Sequence, residues 1–202
     1  MNRKMIFVGA LLLVQCLAVG FLIYRYERVV TRGTEVRFRC QAYDPKDVFR
    51  GRYLRVTVRE RAEKIPNTVT EDWHSEHNKF YVRIEPSTNG LWRVAEAAYE
   101  PSAEGVWVKP KSARVEHVVV WSDRRKDESY EDFNKRRNNS PLVVRVDFPD
   151  QLFVNEKLAP EAEKVLRERT SDAVAVYRVL DGEMVITDIE IGGESVISLA
   201  TQ

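Results

Sequence analysis

The sequence predicts a mainly β fold, either a β-sandwich or a partly open barrel, with one short amphipathic helix and an N-terminal transmembrane helix ahead of it. An uncharged apolar run lies near the N-terminus, ten short runs of alternating apolar and polar residues follow, and one helical pattern interrupts them late in the chain. The chain has 202 residues, 44% hydrophobic and 31% charged, which suits one ordinary domain plus an accessory segment.

The apolar run covers residues 5–24 and contains no charge, with Gln15 as its polar interruption. At about 1.5 Å per residue such a helix spans about 30 Å, the thickness of the bilayer hydrocarbon. Arg3 and Lys4 precede the run, and Tyr24 and Arg25 are typical of a helix end at the headgroups. We therefore expect a short basic N-terminus (1–4), an anchor (5–24), a linker (25–33) and an exported β-rich domain (34–202).

Two processed forms are alternatives to a permanent anchor. Ala18, Val19 and Gly20 resemble a signal-peptide cleavage site, and Cys16 could be a lipoprotein cysteine, although the bulky Gln15 precedes it. Cleavage after Gly20 would leave an apolar new terminus, so we favour the anchor. Loop charge alone favours an inward C-terminus, but large domains translocate largely regardless of charge, and we expect an outward domain.

The β domain is predicted from alternation and from turn residues. Asp181-Gly182 separates two alternating runs and suits a tight type I′ hairpin, and Asn89-Gly90 forms a similar turn. Pro160 begins the helical pattern, which extends over 161–169 with acids early and bases late. The expected strands are 36–42, 54–58, 80–84, 91–97, 105–108, 114–121, 142–148, 173–180, 183–191 and 195–199.

Charge excludes one class of partner and is unevenly distributed. The chain carries 32 Lys and Arg against 31 Asp and Glu, so it has no electrostatic footprint for nucleic acid. Residues 25–64 hold 12 basic and 6 acidic residues, a net +6, whereas residues 65–202 hold 18 and 25, a net −7. The basic stretch either faces anionic headgroups or an acidic partner, or it reflects strands that alternate Arg with apolar residues.

The sequence offers little catalytic chemistry. His74 and His77, preceded by two acids, are possible metal ligands, but the third histidine, His117, falls in a strand-like run. The common nucleotide, metalloprotease and hydrolase signatures are missing, so no catalytic residue and no cofactor is expected. Cys16 lies in the apolar run and Cys40 in the first strand, so we expect Cys40 to be an unpaired, buried small hydrophobe.

The segment 121–141 has a different character from the strands. It carries six basic and five acidic residues, with Tyr130 and Phe133 as its large apolar side chains after Trp121. It is either a solvated excursion with one helical turn over 128–135 or a loop that docks a partner through these two aromatic anchors. The four tryptophans could line a ligand groove, but core or interface packing is the commoner fate.

Residues 44–58 resemble the signature of the bacterial GDYXXLXY family. Gly51 and Tyr53 match the motif and Val56 stands conservatively for Leu, but Arg52 replaces Asp and Val58 replaces Tyr. The resemblance covers most of residues 34–195. It implies a membrane-anchored protein of the bacterial inner membrane, often encoded beside polytopic membrane proteins, with no assigned catalytic residue. The anchor, the basic stretch after it and the missing catalytic signatures favour a non-enzymatic envelope protein that binds or regulates a neighbouring membrane protein.

The motif region also allows an architectural and an enzymatic interpretation. Asp44-Pro45 begins a turn, and Gly51 permits a bulge before the strand that starts at Arg52. The string 49–56, followed distantly by Phe153, is loosely similar to the β scaffold of membrane signal peptidases. These enzymes need a nucleophilic Ser, and no Ser precedes Gly51. A membrane-anchored hydrolase or metal-dependent enzyme remains the alternative hypothesis.

Overall fold

The computed structural model describes residues 3–42, 53–66 and 80–201. The first element is a single helix, α1 (Arg3–Arg32), whose segment Phe7–Arg32 is long and apolar enough to cross a membrane. The segment 25–33, expected to be a linker, is helical up to Arg32. No Gly or Pro interrupts residues 21–32, and Val29 is buried against the domain, so nothing ends the helix before Gly33.

The remaining elements are short. The described helices beyond α1 are α2 (Tyr130–Asn138), α3 (Ala159–Glu168) and α4 (Val196–Leu199). The described strands are β1 (Thr34–Arg39), β2 (Gln41–Ala42), β3 (Tyr53–Thr57), β4 (Arg59–Ala62), β5 (Tyr81–Pro86), β6 (Trp92–Ala98), β7 (Val106–Val108), β8 (Ser112–His117), β9 (Leu142–Asp147), β10 (Gln151–Phe153), β11 (Ala173–Leu180), β12 (Glu183–Ile191) and β13 (Glu194–Ser195).

These strands form several small antiparallel sheets, which confirms the predicted mainly β fold with an apolar N-terminal helix. In the described residues the strand orders are β1-β11-β12-β13, β10-β3-β2, β4-β9-β8 and β6-β5-β7. In the first sheet Thr34 pairs with Val179, so the start of β1 and the end of β11 lie together beside the end of α1. This sheet connects the apolar helix to the rest of the domain.

Both predicted turns are confirmed. Asp181 and Gly182 have φ angles of 51° and 81° in the two-residue connection between β11 and β12. Asn89 and Gly90 have φ angles of 64° and 72° between β5 and β6. Residues that tolerate left-handed backbone therefore stand where the hairpins require it.

The helices agree with the sequence prediction at α3 and α2 and differ from it at α4. Pro160 lies in the first turn of α3, close to the expected bounds. The predicted strand at 195–199 is wrong, because α4 buries Val196 and packs against α3 and β12. Short apolar runs do not distinguish strand from helix by periodicity. The helix α2 overlaps the helical turn expected at 128–135 and extends it to Asn138.

The core lies between the sheets and is rich in β-branched and aromatic residues. Phe38 packs on Phe148 and Tyr177 with ring centroids 4.9 Å and 6.1 Å away. The Tyr177 hydroxyl donates to the Pro149 carbonyl, which satisfies its polar atom inside the core. Burial raises the pKa of Tyr177 well above its usual value. Cys40 is buried and unpaired, as predicted.

Candidate functional site

The junction between α1 and the β11–β12 hairpin is the first candidate site. Arg25, the first residue after the apolar run, is paired with Glu183 at the start of β12. Arg28, one turn later, is paired with Asp181 in the turn. Val29 is 3% exposed between them. The C-terminal end of the helix therefore lies directly against the hairpin, whereas residues 7–24 are exposed.

The junction borders a small, half-open cleft of about 190 Å³. Its walls are both ion pairs together with Val29 and Leu180. Because every charged group lining it has an opposite partner in the wall, the cleft offers no uncompensated charge to a ligand. These compensated charges are typical of a structural contact between two elements and not of a substrate pocket.

Gly33 allows the close approach of α1 to the sheet. Its amide donates to the Val29 carbonyl at 2.9 Å, which completes the last turn of the helix. A Cβ at this position would lie 2.5 Å from that carbonyl oxygen and 3.0 Å from the Val179 nitrogen. Arg178 then donates to the Gly33 carbonyl at 3.2 Å. Only glycine fits between the helix end and β11 without displacing backbone.

The described cations of the basic stretch 25–64 are largely neutralised by acids from the rest of the chain. These ion pairs are Arg25–Glu183, Arg28–Asp181, Arg37–Glu190, Arg55–Asp150, Arg61–Glu116 and Lys64–Glu96. Each joins the positive first part of the domain to its negative remainder. Six of the nine described cations of this stretch thus serve contacts inside the molecule.

A second candidate site is the aromatic cluster, which we define as Trp121, Tyr130 and Phe133. Phe133 is 1% exposed and supports the Trp121 ring, whereas Trp121 and Tyr130 are 57% and 60% exposed. The Trp121 ring lies 5.0 Å from that of Phe133 and 5.7 Å from that of Tyr130. Of the two predicted anchors, Tyr130 is therefore accessible and Phe133 is not.

Charged groups hold the aromatic cluster in place. The Arg124 guanidinium lies over the Trp121 ring at 5.4 Å. Arg136 donates twice to the Glu128 carboxylate, both at 2.8 Å, and its guanidinium lies over the Phe133 ring at 5.7 Å. These hydrogen bonds lower the pKa of Glu128 to about 2. The segment is thus an ordered surface that presents two aromatic rings.

The family motif is described only in part. Val56 is fully buried in the core, and the half-buried Tyr53 ring packs edge-on against Phe153 at 6.1 Å. These two positions are architectural. The other predicted motif positions, Asp44, Pro45, Gly51 and Arg52, lie outside the described residues.

The remaining residues singled out from the sequence are the possible metal ligands, the free cysteine Cys40 and the tryptophans. His74 and His77 also lie outside the described residues. Residues 3–42, 53–66 and 80–201 contain no group of three or more His, Cys, Asp or Glu side chains that could hold a metal ion. Burial raises the pKa of the Cys40 thiol to about 12, far from the range of a reactive thiolate. Trp107 is buried, and its indole donates to the Glu104 carbonyl.

Comparison with known proteins supports the resemblance seen in the motif. The family model described as GDYXXLXY protein matches residues 15–189, most of the chain. The chain belongs to the GDYXXLXY family. In this GDYXXLXY protein the match includes Arg25 and Arg28 on the helix and Asp181 and Glu183 on the hairpin, so both sides of the junction lie within it. No curated protein and no solved structure matches the chain.

The junction is the feature that sequence reasoning missed in this GDYXXLXY protein. The sequence pattern places the arginines after the apolar run at the headgroups and Asp181-Gly182 in a turn, but nothing local links the two. Arg25 and Glu183 are 158 residues apart. The α2 helix did have a signal, because Ser129 precedes Asp132 by three residues, the spacing of a capping box.

Proposed function

We propose that this GDYXXLXY protein is a single-pass envelope protein that binds and regulates a neighbouring membrane protein without catalysing a reaction. In this account α1 is an uncleaved signal anchor in the bacterial inner membrane, and the β domain lies on the periplasmic or extracellular side. Such an anchor confines the domain to one bilayer surface. It therefore favours a partner that lies in the same membrane.

The observation that carries this proposal is the junction itself. Arg25 follows the apolar run directly, and its contact with Glu183 brings the hairpin within about one helical turn of the membrane interface. The β domain is then fixed at the surface and cannot search the envelope on a flexible tether. Such a geometry favours recognition of a neighbour at constant height above the bilayer.

The aromatic cluster is the surface that we assign to the partner. Two exposed rings held by a buried third, with a guanidinium stacked on one of them, match the composition of energetically important residues at protein interfaces. Phe133 and Arg136 hold Trp121 and Tyr130 in place before binding. Binding therefore costs little side-chain conformational entropy at these two rings. The partner's chemistry would be an apolar patch with a polar rim.

Chemical crosslinking of the full-length protein in native membranes, followed by quantitative mass spectrometry, tests the proposal. One reproducible membrane-protein neighbour is expected, and its yield should fall in Trp121→Ala and Tyr130→Ala. Phe153→Ala is the matched control, because Phe153 is an exposed aromatic outside the cluster, at 74% exposure. Recovery of monomer alone, or an equal loss in the control, would refute the proposal.

The alternative enzyme hypothesis, on a signal-peptidase-like scaffold, depends on His74 and His77 and stays a hypothesis. Metal analysis of the purified protein with His-to-Ala variants addresses it directly.

A further inference from the structure

The apolar segment of α1 carries one polar side chain close to its middle. Gln15 is exposed on the helix, and so are its neighbours through the apolar run. With α1 in the bilayer, as the proposed function has it, this amide lies near the centre of the hydrocarbon. An amide there that lacks a partner is costly, and side chains of this kind usually hydrogen-bond across to another helix.

Gln15 shares a helix face with the residue that is buried at the junction. At about 100° per residue, Gln15 lies roughly 40° around the helix axis from Val29. Leu11 and Leu22 are separated from Val29 by smaller angles than Gln15 is. The β11–β12 hairpin therefore covers this face outside the apolar run. Within the run the same face is uncovered.

A second copy of the chain packed along the Gln15 face at a small crossing angle would meet this hairpin. Copies of a single-pass protein share one orientation, so two α1 helices packed through this face would run parallel at about 8–10 Å. The α1 helix is continuous to Arg32 and cannot turn aside after the apolar run. The second helix would then need the space beside Val29 that the chain's own hairpin occupies.

We propose that the Gln15 face of α1 binds a transmembrane helix of a different membrane protein, which ends at headgroup level beneath the Asp181-Gly182 hairpin. That helix would carry a hydrogen-bonding side chain, such as Ser, Thr, Asn, Gln or His, at mid-bilayer depth. The Gln15 amide both donates and accepts, so it pairs with any of these. This inference rests on the proposed function and specifies where the partner lies.

Photo-crosslinking of the full-length protein in native membranes tests this assignment. A photoreactive amino acid replaces Leu22 on the Gln15 face or, as a matched control, Leu13 on the opposite face. We expect the Leu22 probe to yield an adduct whose partner peptide maps to a membrane-spanning segment of another protein. The Leu13 probe should yield a much weaker adduct.

The role of Gln15 is tested in the Leu22-probe background. Gln15→Leu should lower the adduct yield roughly three- to tenfold, the change that one interhelical hydrogen bond in lipid supplies, whereas Gln15→Asn should retain most of it. An adduct of two copies of this chain, equal yields from both faces, or no effect of Gln15→Leu would overturn the inference.

Alkaline extraction of the same membranes separates the two failures. If the chain stays in the membrane but the Leu22 probe labels only lipid, the inference about the helix face fails and the anchoring stands. If the full-length chain is released into the aqueous phase, the proposed function fails with it.

Discussion

The Arg25 guanidinium at the end of the apolar segment is paired with the Glu183 carboxylate, 158 residues further along the chain. This contact joins the first polar turn after the apolar run of α1 to the first residue of β12. With the neighbouring Arg28–Asp181 pair, it makes the helix end and the closing hairpin one structural unit.

Reversing the Arg25–Glu183 pair tests its contribution. Arg25→Glu should loosen the hairpin, because it places two like charges together, and the double variant with Glu183→Arg should restore the contact. Both side chains are partly exposed, so we expect a coupling energy of about 0.2–1 kcal/mol. Hydrogen exchange of the amides around Gly182 measures it in detergent-solubilised full-length protein.

The control for this reversal is Arg167→Glu, which breaks an exposed pair with Glu163 on α3. It should leave exchange at the hairpin unchanged. Equal protection in Arg25→Glu and in the original protein would show that the pair does not hold the junction together.

Gly33→Ala should destabilise the junction. The new Cβ meets backbone atoms of Val29 and Val179, which cannot move aside as a flexible side chain could. Overpacking of this kind costs about 1–3 kcal/mol. Thermal unfolding of the full-length protein measures the change against Gly20→Ala, where a Cβ meets nothing within 4 Å. Similar melting temperatures in the two variants would contradict the close approach at Gly33.

More of the fold than of the candidate site could be predicted from the sequence. Asp181-Gly182 and Asn89-Gly90 specify their turns locally, since few other residues accept positive φ angles. Pro160 likewise marks the start of α3. These elements depend on neighbours in the sequence, and the sequence pattern was enough to predict them.

The junction depends on tertiary contacts instead. Val29 is buried because the hairpin packs against it. The partners in the Arg25–Glu183 and Arg28–Asp181 pairs are far apart in the sequence, and only the folded sheet brings them together. Residues 25–32 continue the helix for the same reason, because the hairpin covers them on one side. A single sequence carries no local pattern for such pairings.

Phe133 and Tyr130 should differ sharply when each is replaced by alanine. Phe133→Ala removes a buried ring and should lower the free energy of unfolding by about 3–5 kcal/mol. Tyr130→Ala removes an exposed ring and should cost about 1 kcal/mol or less. Urea unfolding of the two variants measures both. A large loss in Tyr130→Ala would mean that this ring is structural and not a docking surface.

Glu128 should make the protein sensitive to acid. Its folded pKa of about 2 lies below the ordinary value of 4.5, so its stabilising effect is present above pH 4.5 and is lost as the pH falls towards 2. Glu128→Gln should therefore reduce the fall in melting temperature across this range. Glu131→Gln, which removes the charge of an exposed carboxylate in the first turn of α2, is the control. Parallel melting profiles for Glu128→Gln and the original protein would contradict the role of the Arg136 pair.

Protease treatment of intact spheroplasts tests the central claim, that α1 is a permanent anchor which holds the β domain on the outer surface of the membrane. We predict that external protease digests the β domain and leaves a membrane-protected fragment that still contains α1 with its original N-terminus. Protection of the domain until the membrane is lysed, or a soluble chain that begins after Gly20, would contradict this account.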